Sequence, residues 1–285
     1  MDQGSFRPGG WSILPPVIKN LLIINVIFFL ATITFEGSFN INLTDLLGLH
    51  YFAAEKFQPY QLITHMFMHG GFAHILFNMF ALWMLGRVLE NVWGQKKFLL
   101  FYIFAGLGAA VTHYVVFYFQ MSPTLELMNT FLDNPSLNTL NALVNDHTFQ
   151  INQYSGEIYQ QFQSFRESYQ TLKMNPGDLT AMQNSIDFLT NYKQYYLNLP
   201  NVIGASGAVF GVLLAFGMLF PNAVLYIYFA IPIKAKYFVL ILGAIELYSG
   251  FVDTGGNVAH FAHLGGMIFG FALLKYWQLK HKLYV

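Results

Sequence analysis

The chain has 285 residues, 55% of them hydrophobic and 10% charged, with 30 Phe, 17 Tyr and no Cys. Soluble domains carry about 25% charged residues, so this chain lacks the polar surface to cover itself in water, and the composition is that of a membrane protein. Fourteen basic residues balance fourteen acidic ones, which argues against a nucleic-acid partner and a polybasic lipid anchor; without Cys there is no disulfide, thiolate metal site or Cys nucleophile.

A helix needs about 20 mostly apolar residues to cross a bilayer, and the sequence offers six candidates. The first is Val17–Phe35. No small-residue cleavage site follows it, so it reads as a retained span and not as a signal peptide. Glu36–His65 reads as an interfacial loop, aromatic and broken by Pro59. The second span, Phe72–Leu89, carries His74 and Asn78, and the third is Phe98–Phe119.

The composition then turns to Asn, Gln, Ser, Tyr and Asp over Gln120–Pro200. Ile151–Met174 places Ile151, Tyr154, Ile158, Phe162, Phe165, Tyr169 and Leu172 at helical spacing, and Asp178–Leu197 repeats the pattern after Pro176-Gly177. The segment reads as a helical hairpin outside the bilayer; a floppy insertion is the alternative. Span four is Val202–Phe220, stopped by Pro221. Span five lies around Tyr237–Phe251, with an ambiguous apolar stretch at Ala223–Ile233 before it, and span six is Val258–Trp277. The expected fold is an all-α membrane protein: a six-helix bundle built from residues 1–119 and 201–285, interrupted by an extramembrane helical insertion at 120–200.

With the N-terminus inside, Arg7, Lys19, Arg87, Lys96, Lys97, Lys234, Lys236, Lys275, Lys280 and Lys282 all fall on the inner side. Only Lys56, Arg166, Lys173 and Lys193 fall outside. Positive charge marks the cytoplasmic side, so both termini are expected in the cytoplasm and the insertion on the outer side. No inverted repeat of the transporter kind is visible.

Polar groups at membrane depth are costly and are functional candidates by default. They concentrate in three places: Thr64–Asn78, with His65, His69, His74 and Asn78; Gly204-Ala205-Ser206-Gly207; and His260–Gly266, with His260 and His263 one turn apart. A serine hydroxyl becomes a nucleophile when an imidazole takes its proton, and Ser206 with His263 supplies such a pair. Gly204 and Gly207 strip side-chain bulk from both sides of Ser206, and Gly265, Gly266 and Gly270 do the same in span six, so that spans four and six can pack closely. A serine at a helix N-terminus also gains unpaired N–H groups for an oxyanion, to which His74 and Asn78 add side-chain donors. The tetrad alone is an ordinary packing device, and it lacks the last glycine of the Gly-x-Ser-x-Gly elbow of soluble hydrolases because Ala208 stands there. The histidines also suit metal ligation.

Four patterns occur together: His-x3-His-x4-His-x3-Asn from His65 to Asn78, Leu-Gly-x3-Glu-x3-Gly from Leu85 to Gly94, Gly-Ala-Ser-Gly, and Ala-His-x2-Gly-x3-Gly from Ala262 to Gly270. In this order, on six spans, they resemble the rhomboid family of intramembrane serine proteases, in a bacterial form with a large insertion. The resemblance implies Ser206 as nucleophile and His263 as general base in a dyad without an acid. It implies an oxyanion hole from His74, Asn78 and the Ser206 N–H, and an aromatic ring, Phe210, packed on the base. His65 and His69 are assigned to loop and water organisation, His260 to an auxiliary polar role, and Glu90 with Arg87 to structural bonding. Tyr60-Gln61 stands where some members carry Trp-Arg. Glu246, in span five, requires an interior partner that the sequence does not name.

The expected reaction is cleavage of single-span membrane proteins near the outer face, in a bacterial inner membrane, with no cofactor and no metal. Residues 250–257 would form a movable gate, and the insertion would influence substrate entry. A catalytically inactive rhomboid-like client binder remains an alternative. A His-lined metal or proton transporter is a weaker one, since acidic ligands and repeated halves are missing. No His-Glu-x-x-His is present for a zinc protease, and no predicted span carries the pair of Asp that an aspartyl one needs.

Overall fold

The computed structural model describes residues 12–227, 230–252 and 257–280. Arg7 and Lys282 of the charge argument, and Gly255-Gly256 of the expected gate, lie outside the described residues. The helices are α1 (Pro16–Phe39), α2 (Leu43–Leu47), α3 (Gln61–Thr64), α4 (Phe72–Ala81), α5 (Arg87–Trp93) and α6 (Gln95–Asp133). They continue as α7 (Leu137–Asp146), α8 (Glu157–Met174), α9 (Leu179–Asn198), α10 (Ser206–Leu219), α11 (Ala235–Val252) and α12 (Asn257–Leu279). A π-helical turn, Leu82–Gly86, joins α4 to α5. This is an all-α membrane protein, with helix at each of the six predicted spans.

Four segments, Pro16–Phe39, Phe72–Trp93, Gln95–Asp133 and Ala235–Val252, have the length and hydropathy to cross a bilayer. On α1 and α11 most of the apolar surface faces outward, as at Ile27, Leu30, Leu240 and Tyr248. That arrangement would be unstable in water and is natural where the solvent is lipid. The chain divides into two compact units, one of residues 1–48, 60–113 and 202–285 and the other of 49–59 and 114–201.

The core of the first unit includes Ile18, Met66, Leu82, Leu89, Phe98, Phe101, Tyr102, Ala208 and Val212. Buried Glu90 accepts hydrogen bonds from the Val17 and Ile18 N–H groups at 2.9 and 2.8 Å, capping the otherwise unpaired start of α1. Arg87 lies over the Trp83 ring at 4.6 Å. In the first loop, Tyr60 OH and Gln61 Nε2 both donate to Leu46 O, at 3.4 and 3.1 Å.

α10 is buried over most of its surface, with the face of Ser206, Phe210, Leu214 and Met218 half-buried, and it packs most extensively on α12. Small residues permit this. A Cβ on Gly266 would collide with Gly207 O, and one on Gly211 would stand 3.0 Å from Gly266 O. Only two backbones without side chains between them approach so closely.

Three boundaries differ from the sequence reading. Span four starts at Ser206 and not at Val202, because Asn201–Val202 is extended and Gly204 has φ +124, which stops the helix. Its 14 residues reach about 21 Å at 1.5 Å per residue. The ambiguous apolar stretch is an antiparallel hairpin of Val224–Ile227 with Ile231–Lys234, in register Val224↔Lys234. The third helix runs past Phe119 to Asp133, with Pro123 inside it.

The second unit is a packed body and not a floppy insertion. Phe131, Leu140, Leu143, Leu172, Leu189 and Tyr192 are fully buried, around a cluster of Phe149, Phe162, Phe165 and Phe188. The two expected helices are α8 and α9. The first begins at Glu157 and not at Ile151, because a turn at Asn152–Ser155 and Gly156, at φ +68, precede it, leaving Tyr154 exposed. α7, which the sequence reading lacks, is capped by Ser136, whose Oγ accepts from Thr139 N.

Candidate active site

Ser206 is the first residue of α10, so its N–H and those of Gly207 and Ala208 have no acceptor within the helix. The preceding turn is held by Gly204 N donating to His65 O at 2.9 Å. The close α10–α12 packing brings His263 across, and His263 Nε2 lies 2.8 Å from Ser206 Oγ. Phe210, one turn along α10, stacks on the His263 ring at 4.3 Å with a 3° interplanar angle. The stack leaves the imidazole little freedom to tilt away from the serine.

The other nitrogen of His263 is also engaged. Nδ1 lies 3.1 Å from Glu246 Oε2, an oxygen that also sits 2.6 Å from His260 Nδ1. Ionised, a carboxylate only accepts, so both Nδ1 atoms carry the proton and His263 Nε2 presents a lone pair to Ser206. These three side chains are the interior arrangement that Glu246 required. The sequence signal was present, since Glu246 is the single acid in spans four to six, but its contact crosses between two helices. The pairing departs from the dyad without an acid that the resemblance implied.

Glu246, His260 and His263 place donor atoms within 4.8 Å of one another, as a three-ligand metal site would. The 2.6 Å contact to His260 is a hydrogen bond length. It is shorter than the roughly 3 Å that two ligands each about 2.1 Å from one ion keep between them. The arrangement as it stands is a hydrogen-bonded cluster.

His74 also comes close to Ser206. Its Nδ1 accepts from Gly70 N at 3.3 Å, which assigns the proton to Nε2. A Cβ on Gly204 would stand 2.9 Å from that Nε2 and 3.5 Å from Ser206 Oγ. The missing side chain thus opens the space between donor and hydroxyl, at a φ that only glycine adopts readily. Asn78 is buried and donates one N–H to His74 O at 3.0 Å, one turn back in its own helix. The amide has a second N–H.

His65 and His69 are buried and precede the spanning segment that begins at Phe72. Burial pushes His65 down to about 4, and its Nδ1 lies 2.8 Å from Gln61 O. Burial, with His74 close by, lowers His69 to about 4 as well. Its ring stands edge-on to His74 at 4.9 Å. A cavity of about 40 Å³ beside Ser206 is lined by His65, Met66, Gly106, Ala109, Ala262 and His263, among others. It exceeds the ~15 Å³ that one water requires.

A model described as the Rhomboid domain matches residues 56–124 and 174–278, and the unmatched 125–173 falls inside the inserted segment. The chain belongs to the rhomboid family. It is 38% identical over 56 residues to Rhomboid protease GluP of Bacillus subtilis, covering 20% of this chain and 11% of GluP. It is 26% identical over 107 residues to Rhomboid-like protein 15 of Arabidopsis thaliana, covering 37% of this chain and 26% of that protein. The chain thus spans about a tenth and a quarter of these two rhomboid relatives.

Proposed function

We propose that this rhomboid is an intramembrane serine endopeptidase that cleaves single-span membrane proteins near their outer end. The observation that carries the reading is the 2.8 Å contact between Ser206 Oγ and His263 Nε2 at the start of α10. GluP, which is named a rhomboid protease, supports it.

Ser206 Oγ attacks the scissile carbonyl carbon while His263 Nε2 takes the hydroxyl proton. The carbonyl oxygen becomes an oxyanion, stabilised by the Ser206 N–H, His74 Nε2–H and the second N–H of Asn78. Collapse breaks the C–N bond, the imidazolium proton goes to the leaving amine, and an acyl-enzyme remains. A water then gives its proton to His263, attacks the ester and releases Ser206. Water reaches this depth through the cavity beside Ser206, organised by His65 and His69.

The 21 Å reach of α10 is short of the roughly 30 Å hydrocarbon core. Anchored at its inner end, α10 starts well below the outer surface, so Ser206 meets the substrate inside the membrane. A substrate helix must unwind there, which favours small or helix-breaking residues at the cut. Lys and Arg placement supports both termini in the cytoplasm, with the serine and the insertion toward the outer side; the membrane proposed is a cell inner membrane.

The test is incubation of purified protein with a single-span substrate in proteoliposomes, with the product termini read by mass spectrometry. Cleavage within the span, absent in Ser206→Ala and in His263→Ala, supports the proposal. A folded wild type that binds the substrate but leaves it intact favours the client-binding reading.

A further inference from the structure

We infer that Glu246 is a positioning residue for the reaction, which turns the serine–histidine pair into a carboxylate-supported triad with His260 as a second donor to the acid. The inference rests on the protease reading of Ser206 and His263.

The geometry has three parts. Glu246 reaches from α11 to α12, and its Oε2 faces His263 Nδ1 at 3.1 Å, on the ring side opposite Ser206. A neutral imidazole has two tautomers, and only the one protonated at Nδ1 can accept the serine proton at Nε2. Ionised, the acid selects that tautomer, because it offers Nδ1 an acceptor and no donor. When His263 becomes imidazolium, the same oxygen balances its charge with no movement of atoms. The contact at Nδ1 also fixes the ring about one axis while Phe210 fixes its plane.

His260 completes the arrangement. A carboxylate on a helix that crosses a bilayer is costly unless it is hydrogen-bonded, and the Glu246 side chain is only 12% exposed. The 2.6 Å bond from His260 Nδ1 supplies a second donor to Oε2. It holds the carboxylate in place with no demand on His263. Three histidine and acid groups on two helices therefore act in order: His260 holds Glu246, Glu246 holds His263, and His263 faces Ser206.

Glu246→Gln tests this in full-length protein in proteoliposomes. The amide keeps the size but offers an NH2 group, which can turn toward Nδ1 and stabilise the wrong tautomer. The analogous acid-to-amide change in soluble serine proteases costs about 10⁴-fold. Here a kcat loss of at least ~100-fold is expected, with KM within about twofold and the fluorophosphonate labelling rate of Ser206 reduced in parallel. Thermal unfolding stays at the wild-type midpoint. Glu246→Asp, which keeps a carboxylate, recovers at least ~10-fold over the Gln variant.

Wild-type rates in Glu246→Gln, or equal rates in the Gln and Asp variants, would overturn the inference while leaving Ser206 as nucleophile. A Gln variant that does not fold moves the test to Glu246→Ala with added formate. Restored labelling supports the role, and none overturns it. Wild type that neither labels nor cleaves removes the protease reading, and this inference falls with it.

Discussion

His263 and His147 are the same residue type used in two different surroundings. His263, in the membrane unit, has Glu246 on Nδ1, a hydroxyl on Nε2, a phenyl ring stacked against its face and a water-sized cavity alongside. His147, in the insertion, places Nε2 2.8 Å from Tyr192 OH and Nδ1 3.5 Å from Thr124 Oγ1, with Phe149, Tyr192 and Tyr196 packed around it. Tyr192 OH also accepts from Gln150 N, so that histidine ties a loop to a core. What separates the two is the company of the ring. One histidine sits between an acid and a nucleophile beside open space, and the other is closed into an aromatic core. The comparison extends to whole units: glycine contacts and polar groups gathered on Ser206 in one, and stacked aromatics with solvated outer faces in the other.

The largest effect separates the two packing modes. Gly266→Val drives a side chain into Gly207 O, a backbone atom that cannot move alone. Overpacking commonly costs about 1–3 kcal/mol, and a collision with backbone exceeds that range. Loss of the folded membrane unit is expected, seen as aggregation on size exclusion. Phe188→Ala acts on the other side, removing a ring stacked on Phe165 at 4.5 Å. A cost of about 3–5 kcal/mol falls on the insertion, so hydrogen exchange in α8 and α9 should rise sharply while α10 stays protected. Equal loss of protection in both units would show that they are not separate cooperative bodies.

A smaller change concerns chemistry alone. His74→Ala removes one oxyanion donor, and kcat should fall about 10²–10³-fold with little change in KM or unfolding temperature. An unchanged kcat would remove His74 from the reaction.

The smallest effect is one of pH. Burial holds His147 below its ordinary 6.5, so above about pH 6.5 both folded and unfolded chains keep it neutral. As pH falls below 6.5 the unfolded chain takes a proton that the folded one resists, and stability is lost. The protection of α9 against hydrogen exchange, after correction for the intrinsic pH dependence of exchange, should therefore fall from pH 7 to pH 5, and His147→Gln should flatten that slope. A slope unaltered in the variant would assign the effect to other groups.

Much of this was legible before any coordinates. Twenty-residue apolar runs announce spans because lipid demands them, and Ser206, His263, His74 and Asn78 carried patterns that resemble a known family. Other features lacked a local signal. The polarity break at Gln120 is where the composition stops being apolar, but α6 continues for more than three further turns, to Asp133. Ala223–Ile233 is apolar throughout, and a short apolar run reads alike as strand or helix. Glu246 was visible as an anomaly, yet its partners lie on another helix, and which face of α11 meets which face of α12 is set by packing and not by spacing.

The central claim is that Ser206 is activated by His263. The most direct measurement is labelling of detergent-solubilised wild type, Ser206→Ala and His263→Ala with a fluorophosphonate probe, with the modified residue mapped by mass spectrometry. Adduct on Ser206 in wild type, and none in either folded variant, is the result predicted here. Labelling that persists in His263→Ala at the wild-type rate, or an adduct on another residue, would contradict it.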